Sequence, residues 1–426
     1  MSRGRFMNRP YGVTGTGYAP SGQEKEKTMN IKITPSMAEG KITAPPSKSM
    51  AHRLIICAAL AEGESVISNI AMSADIKATI LCMRELGSLI APEGDRLYIK
   101  NGESEGDRLL FVNESGSTLR FLIPLALCGD KVTFVGKPRL FERPLTVYEE
   151  ICKKQGILFE KGEETLCVKG VLSSGEFELP GDVSSQFISG LLLALPRLSG
   201  DSTIKIKGKF ESKSYVLMTL DAMAKFGVSA EFDGVDTFSV KGGQAYTPCN
   251  LSVEGDWSNA AFFEALNFMG GEVTVDGLLA DSLQGDRVYT EYFKKIKEGG
   301  ARLSLADCPD LAPVLFALAA ELGGAEFTDT KRLKIKESDR ASAMAEELAK
   351  LGAEVQVYED RVVVKKSTLH PPTRNIQSHN DHRIAMAMSV LLTKYGGVIE
   401  DAGAVAKSMP DFFDRLSDLG IGVTEI

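Results

Sequence analysis

The sequence is poor in what metal centres and disulfide frameworks are built from. Its four histidines (His52, His370, His379, His382) form no HExxH pattern, and its seven cysteines, scattered from Cys57 to Cys308, include no CxxC pair. No metal is therefore expected, and reduced, buried thiols in the cytosol are. No apolar run reaches the ~20 residues that cross a bilayer, which excludes a membrane protein of the helical kind. Positive charge is also in deficit, with 49 Lys and Arg against 57 Asp and Glu, a net charge of -8. A nucleic-acid partner is disfavoured on that ground. What the chain does have is length: 426 residues, 43% hydrophobic and 25% charged, exceed one ordinary core and read as two large globular domains.

Residues 1 to 28 are polar, Gly-rich and aperiodic, whereas MNIKI from Met29 reads as a first strand. The leading segment is expected to be a disordered extension or a remnant of expression. Its Gly12, Gly15 and Gly17 have no strand before them and no helix after, so they make no nucleotide loop.

From there one pattern recurs: an amphipathic helical stretch ends at Gly and turns into an apolar strand. It is seen in ATILCMRELG-SLI, VYEEICKKQG-ILF, VLMTLDAMAKFG-VSA, YFKKIKEGG-ARLSL, AMAEELAKLG-AEVQV and FFDRLSDLG-IGV. Gly87, Gly156, Gly227, Gly300, Gly352 and Gly420 are thus expected just past six helix ends, where a positive φ favours glycine. The spacing of roughly 70 residues suits a small α/β unit. Each unit carries a second helix that is apolar on nearly every face, such as STLRFLIPLAL or HRIAMAMSVLL, and such a helix must be buried. Six βαβα-like units, three before and three after NLSVEGDWS, predict two similar α/β domains with helices buried inside sheets.

The starts of the buried helices read PPSKS, ESGST, DVSSQ, GDWSN, CPD and NDHR. They supply N-caps and free backbone N–H groups, and helix N-termini attract anions. If the units are pseudo-symmetric, these starts face one side of each domain and two such faces form an anion-binding cleft. For GDWSN ordinary capping is the expected reading. PPSKSMAHR puts Lys48, Ser49 and Arg53 on one helix face near its start, and RLFERPL sets Arg139 and Arg143 in a loop. KIKESDR concentrates Lys334, Lys336, Glu337, Asp339 and Arg340, which reads as a site or as a salt-bridged surface. In NDHR, His382 is either a cap or core residue or a ligand.

Taken together, PPSKSMAHR, NESGSTLR, ERPL, DVSSQF, CPDLAP, KESDR, NDHR and AKSMPDFF occur in an order and spacing that resemble the EPSP synthases, and they cover nearly all of Met29 to Ile426. The resemblance implies two pseudo-symmetric domains, each of three βαβαββ units with buried parallel helices, an inside-out α/β barrel. It implies a discontinuous domain I (29–46 plus 254–426) and a domain II (47–253), with crossings near Ser47 and Val253. It also implies transfer of an enolpyruvyl group from phosphoenolpyruvate to the 5-hydroxyl of shikimate 3-phosphate, without a cofactor. On matching positions shikimate 3-phosphate meets Lys48, Ser49, Arg53, Ser184, Ser185, Gln186, Ser212, Asp310 and Lys336. Phosphoenolpyruvate meets Lys48, Gly116, Arg143, Gln186, Arg340, Arg383 and Lys407. Arg120 and His382 are supporting. Asp310 is the expected base and Glu337 the expected acid, with Lys48 or Lys407 able to share the proton work.

Three positions depart from the family pattern: ESGST stands for NAGTA, Phe121 for a proline, and Arg332 for an asparagine that often touches shikimate 3-phosphate, so Arg332 is left out of the site. Two alternatives remain. One is the sister enzyme acting on UDP-N-acetylglucosamine, whose reactive loop cysteine has no counterpart in GKPRLFERP, and the other is a catalytically silent anion-binding protein. A monomer is the working expectation.

Overall fold

The computed structural model describes residues 29–102 and 104–426. The expectation for residues 1 to 28 lies outside the described residues. The predicted first strand forms at Ile31–Thr34, where Ile31 and Ile33 turn inward and their polar neighbours outward.

Two separate hydrophobic cores organise the chain. One is built from Met50 to Val253; the other joins Ile31–Ala44 to Ala260–Ile421. At the centre of the first lie helices Lys48–Leu60, Gly116–Ala126 and Ser185–Ala194. Trp257–Ala265, Ala312–Glu321 and His382–Tyr395 take that place in the second. These helices are buried on all sides, Ala312 to Ala320 without exception, as their unbroken apolar sequences require. Amphipathic helices such as Ala74–Glu85, Lys213–Lys225 and Arg340–Lys350 bury one face each against them. Sheets cover the outside, and their strands alternate buried and exposed residues, as Glu176–Pro180 does. The architecture is inside-out α/β.

The six glycines expected after the amphipathic helices all adopt positive φ, from 67° at Gly300 to 107° at Gly87. Among the described residues five of the six sheets share one strand order, shown by Glu176–Pro180, Ser202–Lys207, Thr237–Val240 and Glu231–Phe232: a parallel pair followed by antiparallel neighbours. Two sheets complete this order with strands from distant parts of the chain. Leu251–Ser252 supplies the first strand beside Glu64–Ser68, and Ile31–Thr34 fills the place between Gly397–Glu400 and Gly422–Glu425.

The fourth unit breaks the expected uniformity. Its sheet has two strands among the described residues, Glu39–Thr43 parallel to Glu272–Asp276. The reason is local: after Gly299 and Gly300 the strand Ala301–Ser304 pairs with Ala325–Thr328 and so opens the fifth unit instead of closing the fourth.

The chain passes between the halves twice, and the two passes run side by side. Ser47 N donates to Glu254 O at 2.8 Å and Asp256 N to Pro45 O at 2.7 Å. This pairing sets the helix starts at Lys48 and Trp257 next to each other.

Candidate active site

Ser47, Ser115 and Ser184 cap the three interior helices of the first half, their hydroxyls accepting from Met50 N, Thr118 N and Gln186 N. In the other half Asp256 and Asp381 do this through carboxylates, accepting from Asn259 N and Arg383 N. The remaining helix is led in by the 3-10 turn Pro309–Leu311, so the carboxylate of Asp310 is not used as a cap. Four of these starts, at Lys48, Gly116, Ser185 and Asp310, open into a single cleft between the halves.

Two cations of the first half, Arg53 and Arg120, are held by neutral partners, and a third, Lys48, by a carboxylate. Arg53 is 2% exposed; it donates to Thr219 Oγ1, Ser49 O and Tyr215 O at 2.6–2.8 Å and lies 5.0 Å from the Phe121 ring. Three of its five N–H groups are thereby fixed, leaving two for a ligand. Arg120 donates to Gln186 Oε1 at 3.0 Å, and Gln186 in turn donates to Ser117 Oγ at 3.0 Å, so the amide is oriented before any ligand meets it. Lys48 ion-pairs with Asp75 at 2.9 Å, and its backbone N–H donates to Asp256 across the halves.

The second half contributes carboxylates gripped by cations. Arg340, 1% exposed, donates from Nη1 to Asp310 at 2.8 Å, from Nη2 to Glu337 at 2.6 Å and from Nε to Asp381 at 2.8 Å. Asp310 also receives Lys336 at 3.3 Å and Arg383 at 3.1 Å. Burial alone would raise both carboxyls. Arg383, Lys336 and Arg340 instead hold Asp310 well below the usual carboxylate range, and Arg340 and Arg143 do the same to Glu337. Both are therefore ionised while those cations stay paired with them. The cleft wall carries six cationic side chains against three carboxylates, a surplus that suits polyanionic ligands.

The cleft brings together Lys48, Ser49, Arg53, Gly116, Arg120, Arg143, Ser184, Ser185, Gln186, Ser212, Asp310, Lys336 and Glu337. Arg340 and Arg383 stand behind Asp310. Lys407 lies elsewhere, bonded to Glu114 of the opposite half and to Asn380 O at 2.6 Å. The two readings of His382 resolve toward the core: it is 2% exposed, Asp381 and not His382 is the cap, and burial, then Lys48 and Arg383, hold its ring well below the ordinary histidine range and so neutral. KIKESDR runs from an exposed Lys334 through partly buried residues to Arg340, which is among the most buried side chains.

Two expectations need correcting. The RLFERPL segment is a short helix, Pro138–Glu142, begun by Pro138, with Arg143 as its C-cap. That geometry turns Arg143 inward, where its Nε donates to Ile335 O at 3.1 Å. Arg332, left out of the site, lines the cleft and donates to Ser212 Oγ at 2.9 Å. Asp75, Ser117 and Tyr215, which the sequence does not single out, also line the cleft, and Asp286 is bonded to Tyr215. Tyr215 sits three residues after Ser212 at the same helix start, a signal available in ESKSY, and its hydroxyl donates to Asp286 at 2.7 Å. Asp75 and Asp286 meet the site only through folding and leave no local trace.

Known proteins resemble this chain over nearly its whole length. Residues 33–416 match the family model described as EPSP synthase (3-phosphoshikimate 1-carboxyvinyltransferase). The 3-phosphoshikimate 1-carboxyvinyltransferase of Clostridium kluyveri is 42% identical over 425 residues, spanning 93% of this chain and 98% of the relative. That of Clostridium perfringens is 42% identical over 421 residues, spanning 92% and 98%. A solved EPSP synthase from Acinetobacter baumannii superposes with a TM-score of 0.75 at 24% identity, covering 93% of this chain and 100% of that one, a likeness of fold.

Proposed function

The chain belongs to the EPSP synthase family, the 3-phosphoshikimate 1-carboxyvinyltransferases, and from that premise we propose how the groups of its cleft divide the work. The reaction transfers the enolpyruvyl group of phosphoenolpyruvate to the 5-hydroxyl of shikimate 3-phosphate and releases phosphate, a step of aromatic amino-acid biosynthesis. It proceeds by addition and elimination: C2 of phosphoenolpyruvate accepts the hydroxyl oxygen, its methylene carbon takes a proton, and the tetrahedral intermediate collapses with loss of phosphate. A base and an acid are needed.

One observation carries the assignment: a single guanidinium, Arg340, bridges Asp310 and Glu337 in the wall that also holds Ser49, Ser185 and Gln186. Asp310 is the base at the acceptor hydroxyl and Glu337 the donor to the methylene. As long as the arginines pair with them, Asp310 is a weak base and Glu337 carries no proton. Two polyanionic substrates compete for the same cations, and each guanidinium drawn toward phosphate or carboxylate lets its carboxyl recover basicity. Lys48, already in the cleft wall, is better placed than Lys407 to share the proton work. Shikimate 3-phosphate is held by Lys48, Ser49, Arg53, Ser184, Ser185, Gln186, Ser212 and Lys336, and phosphoenolpyruvate by Lys48, Gly116, Arg143, Gln186, Arg340 and Arg383, with Lys407 joining after release from Glu114.

The two cores support domains at 47–253 and at 29–46 plus 254–426. The free, buried thiols of Cys57, Cys82, Cys152 and Cys308 suit a reducing compartment such as the cytosol. Phosphate release should require phosphoenolpyruvate and shikimate 3-phosphate together. Release with UDP-N-acetylglucosamine in place of shikimate 3-phosphate would overturn the acceptor assignment.

A further inference from the structure

Ser212 is an anomaly that its own helix does not explain. It starts the helix Lys213–Lys225 with φ of 53°, a left-handed conformation that costs a residue with a Cβ about 1 kcal/mol or more. A serine there normally offsets such a cost by capping the helix, yet this hydroxyl makes no cap bond. It accepts instead from Arg332 Nη1 at 2.9 Å, across the two halves.

Arg332 is placed to hold more than the hydroxyl. Its Nη2 donates to Ala306 O at 2.7 Å, and Ala306 O also receives the backbone N–H of Ser212 at 2.8 Å. The third side of the guanidinium ion-pairs with Glu211, and both side chains are more than nine-tenths buried. One planar fork thus joins the side chain of Glu211, the side chain of Ser212 and the carbonyl to which Ser212 is bonded. An ammonium cannot span this set. Because the serine oxygen accepts from a cation, its own proton is free to donate, the polarity that an anionic or hydroxylated ligand in the cleft requires.

We propose that Arg332 is a positioning residue for the acceptor, holding Ser212 in the cleft through its clamp on Glu211. This rests on the reading that Ser212 contacts the phosphorylated acceptor. Arg332 acts through Ser212, and Glu211 is the counter-ion that allows a buried arginine to stand there. The Glu211 carboxyl is pushed up by burial even with Arg332 beside it, so removing the arginine leaves a buried acid without its main partner.

Steady-state kinetics and melting of five variants test this: Ser212→Ala, Arg332→Gln, Arg332→Lys, Ser212→Ala/Arg332→Gln and Glu211→Gln/Arg332→Gln. Arg332→Gln and Ser212→Ala should each raise KM for shikimate 3-phosphate about 10-fold, with kcat and the KM for phosphoenolpyruvate within about threefold of normal. Arg332→Lys should recover only part of the loss. Adding Ser212→Ala to Arg332→Gln should raise KM by at most about twofold more, since the hydroxyl is already misplaced. Neutralising the orphaned acid in Glu211→Gln/Arg332→Gln should restore the melting temperature and leave KM high, which separates positioning from folding and also covers an Arg332→Gln protein too unstable to assay. A normal acceptor KM in that double variant overturns the inference. So does full multiplication of the Ser212 and Arg332 effects, which would make Arg332 a direct ligand. If Ser212→Ala alone leaves the acceptor KM untouched, the placement of Ser212 at the acceptor falls and the inference with it.

Discussion

The interior helices of the two halves start with different chemistry. In the half spanning Ser47 to Val253 the caps are hydroxyls, Ser47, Ser115 and Ser184, and the arginines beside them bond to neutral groups, Arg53 to a threonine and two carbonyls and Arg120 to an amide and a carbonyl, whereas Lys48 pairs with Asp75. In the other half the starts carry carboxylates, Asp256, Asp310 and Asp381, and the cations there are consumed by them. On the proposed roles the same repeat serves two tasks: hydroxyls and guanidiniums bonded to neutral groups would recognise a phosphorylated polyol, whereas a carboxylate held by cations would change its basicity when substrate draws those cations away. One half would then bind, and the other bind and react.

The sharpest way to break this comparison is Asp310→Asn, which preserves shape and removes the base. Turnover should fall about 10²–10⁴-fold, the usual worth of a general base, while KM for shikimate 3-phosphate changes far less. Ser184→Ala, in the binding half, should do the reverse. Should Asp310→Asn turn over normally, the second half would have no reactive role.

Arg383→Lys asks whether the cations behind Asp310 act as forks. Arg383 donates to Ser258 Oγ at 2.7 Å and to Asp310 at 3.1 and 3.2 Å, a set one ammonium cannot span. KM for phosphoenolpyruvate should rise about tenfold, and an unchanged constant would reduce Arg383 to a charge at a helix start.

How much of this division could be read from the chain depended on distance along it. Helix starts and their caps are local, so PPSKS, ESGST, DVSSQ and CPD, the starts that open into the cleft, are legible in the sequence. The six glycines mark the helix ends in the same way. Expectation failed where the fold brings together what the sequence separates. Arg332 is 120 residues from the serine it holds, and Asp286 is 71 from Tyr215. The fourth unit lost two strands because the strand after Gly300 could end one repeat or begin the next, and only pairing decides. RLFERPL reads as a loop although Pro138 suits a first helical position, since five residues are too few to show a period.

Asp286 sharpens the comparison in another way, because among the described residues it is a carboxylate of the second half with no cation bonded to it. Burial, then Asp310, raises it to about 7, against the opposing pull of Arg383; the Tyr215 hydroxyl and Asp256 also face it. The folded pKa lies above the unfolded one, so the folded protein binds the extra proton and loses stability as pH rises from about 4 to about 7. Asp310 and Glu337 work in the opposite sense: their contribution is present above the ordinary carboxylate range and is lost as pH falls through their depressed values. Asp286→Asn should therefore melt about 5 °C higher than the parent at pH 8 and no higher at pH 4. An equal gain at both pH values would show that charge is not the cause.

The smallest expected effect is at Gly116, on the binding side. Its φ is not in the left-handed region, so alanine is not excluded by the backbone. A methyl added there would meet Arg120 Nη1 and Arg143 Nη1, each at 2.8 Å, closer than real contacts allow. Those atoms are the far ends of flexible side chains, so the arginines move and the helix stays. Arg120 is tied by Gln186 and by Pro144 O, whereas Arg143 has its bond to Ile335 O and a looser pairing with Glu337 at 3.8 Å. Arg143 should yield first, and with it one grip on phosphoenolpyruvate. We expect Gly116→Ala to raise KM for phosphoenolpyruvate about threefold to tenfold, with the acceptor KM and the melting temperature nearly unchanged. Pairing it with Arg143→Ala discriminates further: once the displaced guanidinium is gone, the added methyl should cost almost nothing more in KM. If Gly116→Ala lowers the melting temperature and leaves both constants alone, the glycine serves only its turn, and the binding half must hold phosphoenolpyruvate without it.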